Sequence, residues 1–152
     1  NCPWTKSKLK VDASIVIGPD LSPVAANTLF RDGAPLTGQS DHIANLQLSF
    51  EDTERLSQIT MLLNYASDRV TNRGPIQGTL RQPDIVEKPG FRLDLVGRQG
   101  FKLLGPDMEL KLEARNLTGT PYKEFQKTGS NTIYLHRYKV GRSFSLGLTA
   151  NF

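Results

Sequence analysis

The sequence predicts an all-β fold, an antiparallel up-and-down meander of about six strands. Two observations carry this. Apolar and polar residues alternate one by one through six separate stretches, which places each set on its own face of a strand. The connections between those stretches alternate between long and short, which in a meander sends every long loop to one end of the sheet and every tight turn to the other.

The first predicted strand lies near Lys8 to Ile17, where Leu9, Val11, Ala13, Ile15 and Ile17 oppose Lys8, Lys10, Asp12 and Ser14. In the second, Ala44, Leu46, Leu48 and Phe50 oppose Asn45, Gln47, Ser49 and Glu51. The third sets Ile59, Met61, Leu63 and Tyr65 against Thr60, Asn64 and Asp68, with Leu62 as an exception. In the fourth, Phe91, Leu93 and Leu95 oppose Arg92, Asp94 and Arg98, and in the fifth Met108, Leu110, Leu112 and Ala114 oppose Glu109, Lys111, Glu113 and Arg115. The sixth, Arg142 to Phe152, alternates without a slip: Phe144, Leu146, Leu148, Ala150 and Phe152 against Ser143, Ser145, Gly147, Thr149 and Asn151. No stretch has a helical period.

Three connections are long and rich in Gly, Pro, Asn, Thr and Asp: about Gly18 to Asp41, Thr71 to Gly90, and Thr118 to roughly Ile133. They are expected at one end of the sheet, as its more mobile part. The turns around Asp52 to Leu56 and Leu104 to Asp107 are tight.

The length of 152 residues, with 38% hydrophobic and 22% charged side chains, suits one ordinary domain. No apolar run reaches the roughly 18 to 20 residues of a membrane-crossing helix, and no secretory signal is visible, so a membrane role would fall to strands. A single cysteine, Cys2, excludes an internal disulfide. The net charge of +4 comes from basic residues scattered among acids, so no nucleic-acid partner is expected.

Loops this long are uncommon in compact soluble domains. Outer-membrane barrels have them on the outside, with short turns inside and strands of alternating character. The fold predicted is therefore a meander that forms part of a transmembrane β-barrel.

A family resemblance agrees. "MELKLEARNLTGTPYKEFQ" followed by "YKVGRSFSLGLTANF" resembles the C-terminal end of TonB-dependent outer-membrane receptors, and "PLTGQSDHIANLQLSFED" resembles a loop and down-strand upstream in that family. The resemblance covers nearly all of the chain from Lys8. It implies a bacterial outer-membrane location and uptake of a scarce ligand such as a ferric siderophore, vitamin B12 or an oligosaccharide. The implied partners are the TonB energy-coupling complex, engaged through a plug segment absent from these residues, the barrel-assembly machinery, and outer-membrane lipid. Residues 1–152 would then be the C-terminal portion of a receptor barrel. Ser145, Gly147, Ala150 and Phe152 resemble the signal read by the barrel-assembly machinery, with Ala150 a weak apolar choice.

Glu109, Lys111, Glu113 and Arg115 share one face, which in a membrane barrel is the lumen, because charges facing lipid are destabilising. In a soluble sheet the same row would be a solvated face. Glu109 and Glu113 are about 13 to 14 Å apart along a strand, too far for a carboxylate pair of the glycosidase kind. His42 and His136 have no carboxylate or cysteine cluster near them in sequence, so no metal is expected. No cofactor motif appears, and no nucleophile and base are spaced to cooperate, so no enzymatic activity is expected. Tyr65, Tyr134, Tyr138 and Phe152 are candidates for an aromatic girdle.

Alternation cannot say whether the apolar faces turn inward or outward. A soluble β-sandwich or small barrel acting as a binding module is the other reading. In the barrel reading, the first and last strands are open edges, so the isolated chain would self-associate edge to edge unless further strands pair with them.

Overall fold

The computed structural model describes residues 2–18, 20–78, 80–103 and 105–151. The elements are β1 (Ile15–Ile17), β2 (Pro23–Ala25), α1 (Ala26–Leu29), β3 (Ile43–Asp52), β4 (Ser57–Ala66), β5 (Arg69–Asn72), β6 (Ile76–Gln77), β7 (Leu80–Arg81), β8 (Ile85–Glu87), β9 (Gly90–Lys102), β10 (Asp107–Arg115), β11 (Tyr122–Thr128), β12 (Asn131–Tyr138) and β13 (Ser143–Asn151). Strand makes up 59% of the chain and helix 3%, and the sheets are antiparallel, so the fold is all-β.

Five strands form the main sheet, in the order β13-β10-β9-β4-β3. Their spatial order follows their order in the chain, so the sheet is an up-and-down meander. Its register lines up the apolar sets. Leu48 lies opposite Met61, Met61 opposite Leu95, Leu95 opposite Ala114, and Ala114 opposite Phe144. One residue away, the row Ser49, Thr60, Val96, Glu113 and Ser145 runs across the other face. A slip of one residue in any strand would mix the faces.

Neither face is covered. Phe144, Leu146, Leu148 and Leu112 are 71%, 69%, 61% and 54% exposed on the apolar side. Among the described residues the buried hydrophobic side chains are only Ala26 and Ala34, so no packed core lies against the sheet.

The tight turns lie at one end. Asp52 Oδ1 accepts the N–H groups of Glu54 and Arg55 at 3.1 and 3.0 Å, which closes the β3–β4 turn. The Gly100 N–H then donates to the Leu56 carbonyl at 2.8 Å and holds that turn against β9.

At the opposite end a second sheet, of order β12-β11-β8-β5, is built from the long connections. β11 and β12 meet through a two-residue loop, Gly129–Ser130, with Gly129 at φ 57. Glycine at the first position of such a loop supplies the positive φ that suits the twist of a hairpin. The segment before β3 reaches the same end. The Gly38 N–H donates to the Val70 carbonyl at 2.7 Å, and the Ser40 hydroxyl to the Ser67 carbonyl at 2.8 Å.

Three expectations are corrected. The first predicted strand, Lys8 to Ile17, is a strand only at Ile15–Ile17, and it pairs with β2 outside the main sheet. Asp12 Oδ1 accepts the Ser14 N–H at 2.9 Å and Asp32 Oδ1 accepts that of Val11 at 2.9 Å, so side chains take donors that a ladder would need. The edge of the main sheet before β4 is therefore β3. The connections from Thr71 to Gly90 and from Thr118 onward are not irregular throughout: the first holds the end of β5 and the short strands β6, β7 and β8, and the second holds the β11–β12 hairpin. A single turn of helix, α1, was not foreseen.

Candidate functional site

The polar face of the main sheet carries the predicted charged row. Glu113 sits between two cations: Lys111 Nζ is 2.5 Å from one carboxylate oxygen and Arg115 Nη2 is 2.9 Å from the other. Glu109 lies opposite Thr149 and Gly100 and makes no ion pair among the described residues. Three of the four residues thus form a connected chain, and Arg98, opposite Lys111, extends the polar surface onto β9. Ser49 and Thr60 share a hydrogen bond of 2.9 Å across β3 and β4.

On β13, Ser145 lies opposite Glu113 and Gly147 opposite Lys111, both on the polar face, whereas Ala150 faces Met108 on the apolar one. Phe152 lies outside the described residues.

The stretch "NLTGT" forms a clasp where β10 leaves the main sheet. Asn116 takes φ 53 and is buried. Its N–H donates to Asp94 Oδ1 at 2.7 Å, and its Nδ2 donates to the Gly141 carbonyl at 2.6 Å and the Thr120 carbonyl at 3.3 Å. Asn116 Oδ1 accepts the Thr120 N–H at 3.1 Å. The Arg142 Nε donates to the Leu117 carbonyl at 2.8 Å. Gly119 has φ 66, and a Cβ there would come within 3.2 Å of the Arg142 guanidinium. Asn116 thus ties the chain leaving β10 to β9 through its backbone N–H, and to the segment entering β13 through its side chain, which gives the residue a structural role.

In the outer sheet, Glu124 is buried. Thr71 Oγ1 donates to its Oε1 at 2.5 Å, and His136 Nδ1 lies 2.9 Å from its Oε2. These hydrogen bonds, that of Thr71 first and that of His136 next, hold the Glu124 carboxyl below its ordinary pKa against the opposing effect of burial. Alongside, Arg69 and Glu87 pair at 2.7 Å. The carboxylate beside His136 comes from across the hairpin, on β11. No group of three or more His, Cys, Asp or Glu side chains able to hold a metal occurs among the described residues. His42 stacks parallel to Trp4, with centroids 6.3 Å apart.

A cleft of about 660 Å³ opens at the outer end, between the 29–35 segment, the 81–84 segment and the tip of the β11–β12 hairpin. Arg31, Arg73, Arg81 and Lys127 line it, with Asp32 and Asp84. Arg73 pairs with Asp84 at 2.7 Å and also donates to the Pro35 carbonyl, while Arg81 donates to that of Leu29. These bonds fix the walls, and Arg31 and Lys127 have no ion pair among the described residues. Linear sequence carries no signal for this cleft or for the Glu124 cluster, because the cleft draws on three separate connections and the cluster on two.

Aromatic residues edge the apolar face at the outer end. Tyr65 and Phe91 lie with centroids 4.6 Å apart, and Phe144 is exposed beyond them. Tyr134 and Tyr138 belong to the outer sheet, where Tyr138 stacks on Tyr122 at 5.0 Å.

No family model, curated protein or solved structure matches the chain.

Proposed function

We propose that the chain is part of the transmembrane barrel of a TonB-dependent receptor in a bacterial outer membrane. The observation that supports this best is the uncovered apolar face, in register across all five strands of the main sheet. A water-soluble sandwich would fold a second layer over such a face, and among the described residues no layer does so. Strands of 9 to 13 residues, rising about 3.4 Å per residue and tilted about 40°, give an apolar band near the roughly 25 Å of an outer-membrane barrel.

In this reading, Glu109, Lys111, Glu113 and Arg115 face the lumen, and β3 and β13 pair with further strands that close the barrel. The outer sheet and its cleft contribute to capture of the ligand, and TonB acts through a plug to release it. Ser145, Gly147, Ala150 and Phe152 serve recognition by the assembly machinery.

Light scattering of the purified chain tests this. The chain is expected to need detergent or lipid and to associate through its edge strands without them. A monodisperse, detergent-free monomer would refute the reading.

A further inference from the structure

Just outside the apolar face, a second cleft of about 640 Å³ lies between the turn at 118–121 and the link from β12 to β13. Lys123, Arg137, Lys139 and Arg142 line it, and no carboxylate does among the described residues. Lys123 and Arg137 lie directly opposite each other on β11 and β12. Like charges in that position repel and destabilise the pairing unless something neutralises them. Among the described residues no carboxylate does so. Lys123 and Lys139 have no ion pair among the described residues. Arg137 rests over the Tyr134 ring at 5.0 Å, and Arg142 is bonded to the Leu117 carbonyl. The nearest acid in sequence, Glu124, is engaged with Thr71 and His136. An anion would complete the site.

The position of the cleft selects the kind of anion. Thr118, in its wall, donates to the Phe91 carbonyl at 2.9 Å, and Phe91 is an outermost residue of the apolar face. Arg142 precedes Phe144, which is 71% exposed on that face, by two residues, and Tyr138, also exposed, lines the cleft. An amphiphile with its acyl chains against Phe144 and Leu146 would hold its headgroup at the four cations. We propose that this cleft binds the phosphate of a lipid headgroup in the outer leaflet. The proposal rests on the membrane reading above. Phosphate suits it because several Lys and Arg donors can share its oxygens.

The test uses the full chain with vesicles of phosphatidylcholine alone, and of phosphatidylcholine doped with phosphatidic acid, and scores partition by flotation. Insertion into both, tighter with phosphatidic acid, is expected. K123Q/K139Q should lower the phosphatidic-acid affinity about 30-fold, at roughly 1 kcal/mol per cation near an anionic surface, and leave insertion into phosphatidylcholine unchanged. R31Q/K127Q, in the other cleft, should keep the gain. Insertion with no gain from phosphatidic acid would overturn the headgroup site and leave the membrane reading standing; failure to insert into either vesicle would overturn both. An equal loss in both double variants would mean general attraction, and full competition by inorganic phosphate would mean a site for the free ion. Either result also overturns the proposal.

Discussion

Replacing Asn116 with alanine tests the clasp most directly. Two of its bonds are short and well placed, Nδ2 to the Gly141 carbonyl at 2.6 Å and Oδ1 from the Thr120 N–H at 3.1 Å. At about 1 kcal/mol each, their loss destabilises the fold by about 2 kcal/mol. Alanine must also hold φ 53, a left-handed conformation that costs an L-residue about 1 kcal/mol more. The expected loss for Asn116→Ala is therefore about 3 kcal/mol. Asn116→Gly loses the same bonds without the backbone strain and should lose about 2 kcal/mol. Urea unfolding in detergent micelles, followed by circular dichroism, measures both. A loss below about 1 kcal/mol for Asn116→Ala, or a glycine variant no more stable than the alanine one, would refute the assignment of the clasp to these bonds.

Three further outcomes are expected. Leu148→Arg, on the apolar face, should destabilise the lipid-inserted chain by about 2 to 4 kcal/mol, whereas Thr149→Arg, opposite Glu109, should be near neutral; equal effects in micelle unfolding would place water on both faces. Because the Glu124 carboxyl titrates below its ordinary value of 4.5 when folded, its contribution is fully present above that pH and fades as pH falls through the lowered value. Protection factors in β11 and β12, corrected for the intrinsic exchange rate at each pH, should therefore fall in acid, and Glu124→Gln should flatten that dependence. Gly147→Ala should leave the sheet intact, since the nearest atom to a new Cβ is Lys111 Cβ at 3.9 Å. A fall in the outer-membrane-assembled fraction in cells, with unchanged micelle stability, would mark Gly147 as part of a recognition signal, and unaltered assembly would remove it from that role.

The main sheet was legible because β3, β4, β9, β10 and β13 each have two chemically distinct faces, and period-two alternation reports that directly. Alternation misled at Lys8 to Ile17, where Asp12 and Asp32 capture backbone donors locally and prevent a ladder. The β11–β12 hairpin was missed for the opposite reason. Every residue of β12 is exposed, so burial imposes no pattern, and only the Gly129–Ser130 pair marked its turn. The charged row at Glu109 to Arg115 was readable from one strand. The Glu124 cluster and the cleft lined by Arg31 and Lys127 are products of topology, since their members meet only after distant connections fold together, whereas the second cleft is made by the β11–β12 hairpin and its two flanks.

The strand breaks between the two sheets carry a mechanical consequence. β4 leads into β5 after residues 67–68, β8 into β9 after 88–89, β10 into β11 across the clasp, and β12 into β13 through 139–142. Each outer strand is thus an extension of a main-sheet strand, and the order β12-β11-β8-β5 repeats the order β13-β10-β9-β4. The breaks form a seam between two hydrogen-bonded plates. A plate whose strands are laddered together tilts as a unit, so displacement of any one hairpin would carry its neighbours with it, and the Asn116 bonds across the seam would set its stiffness.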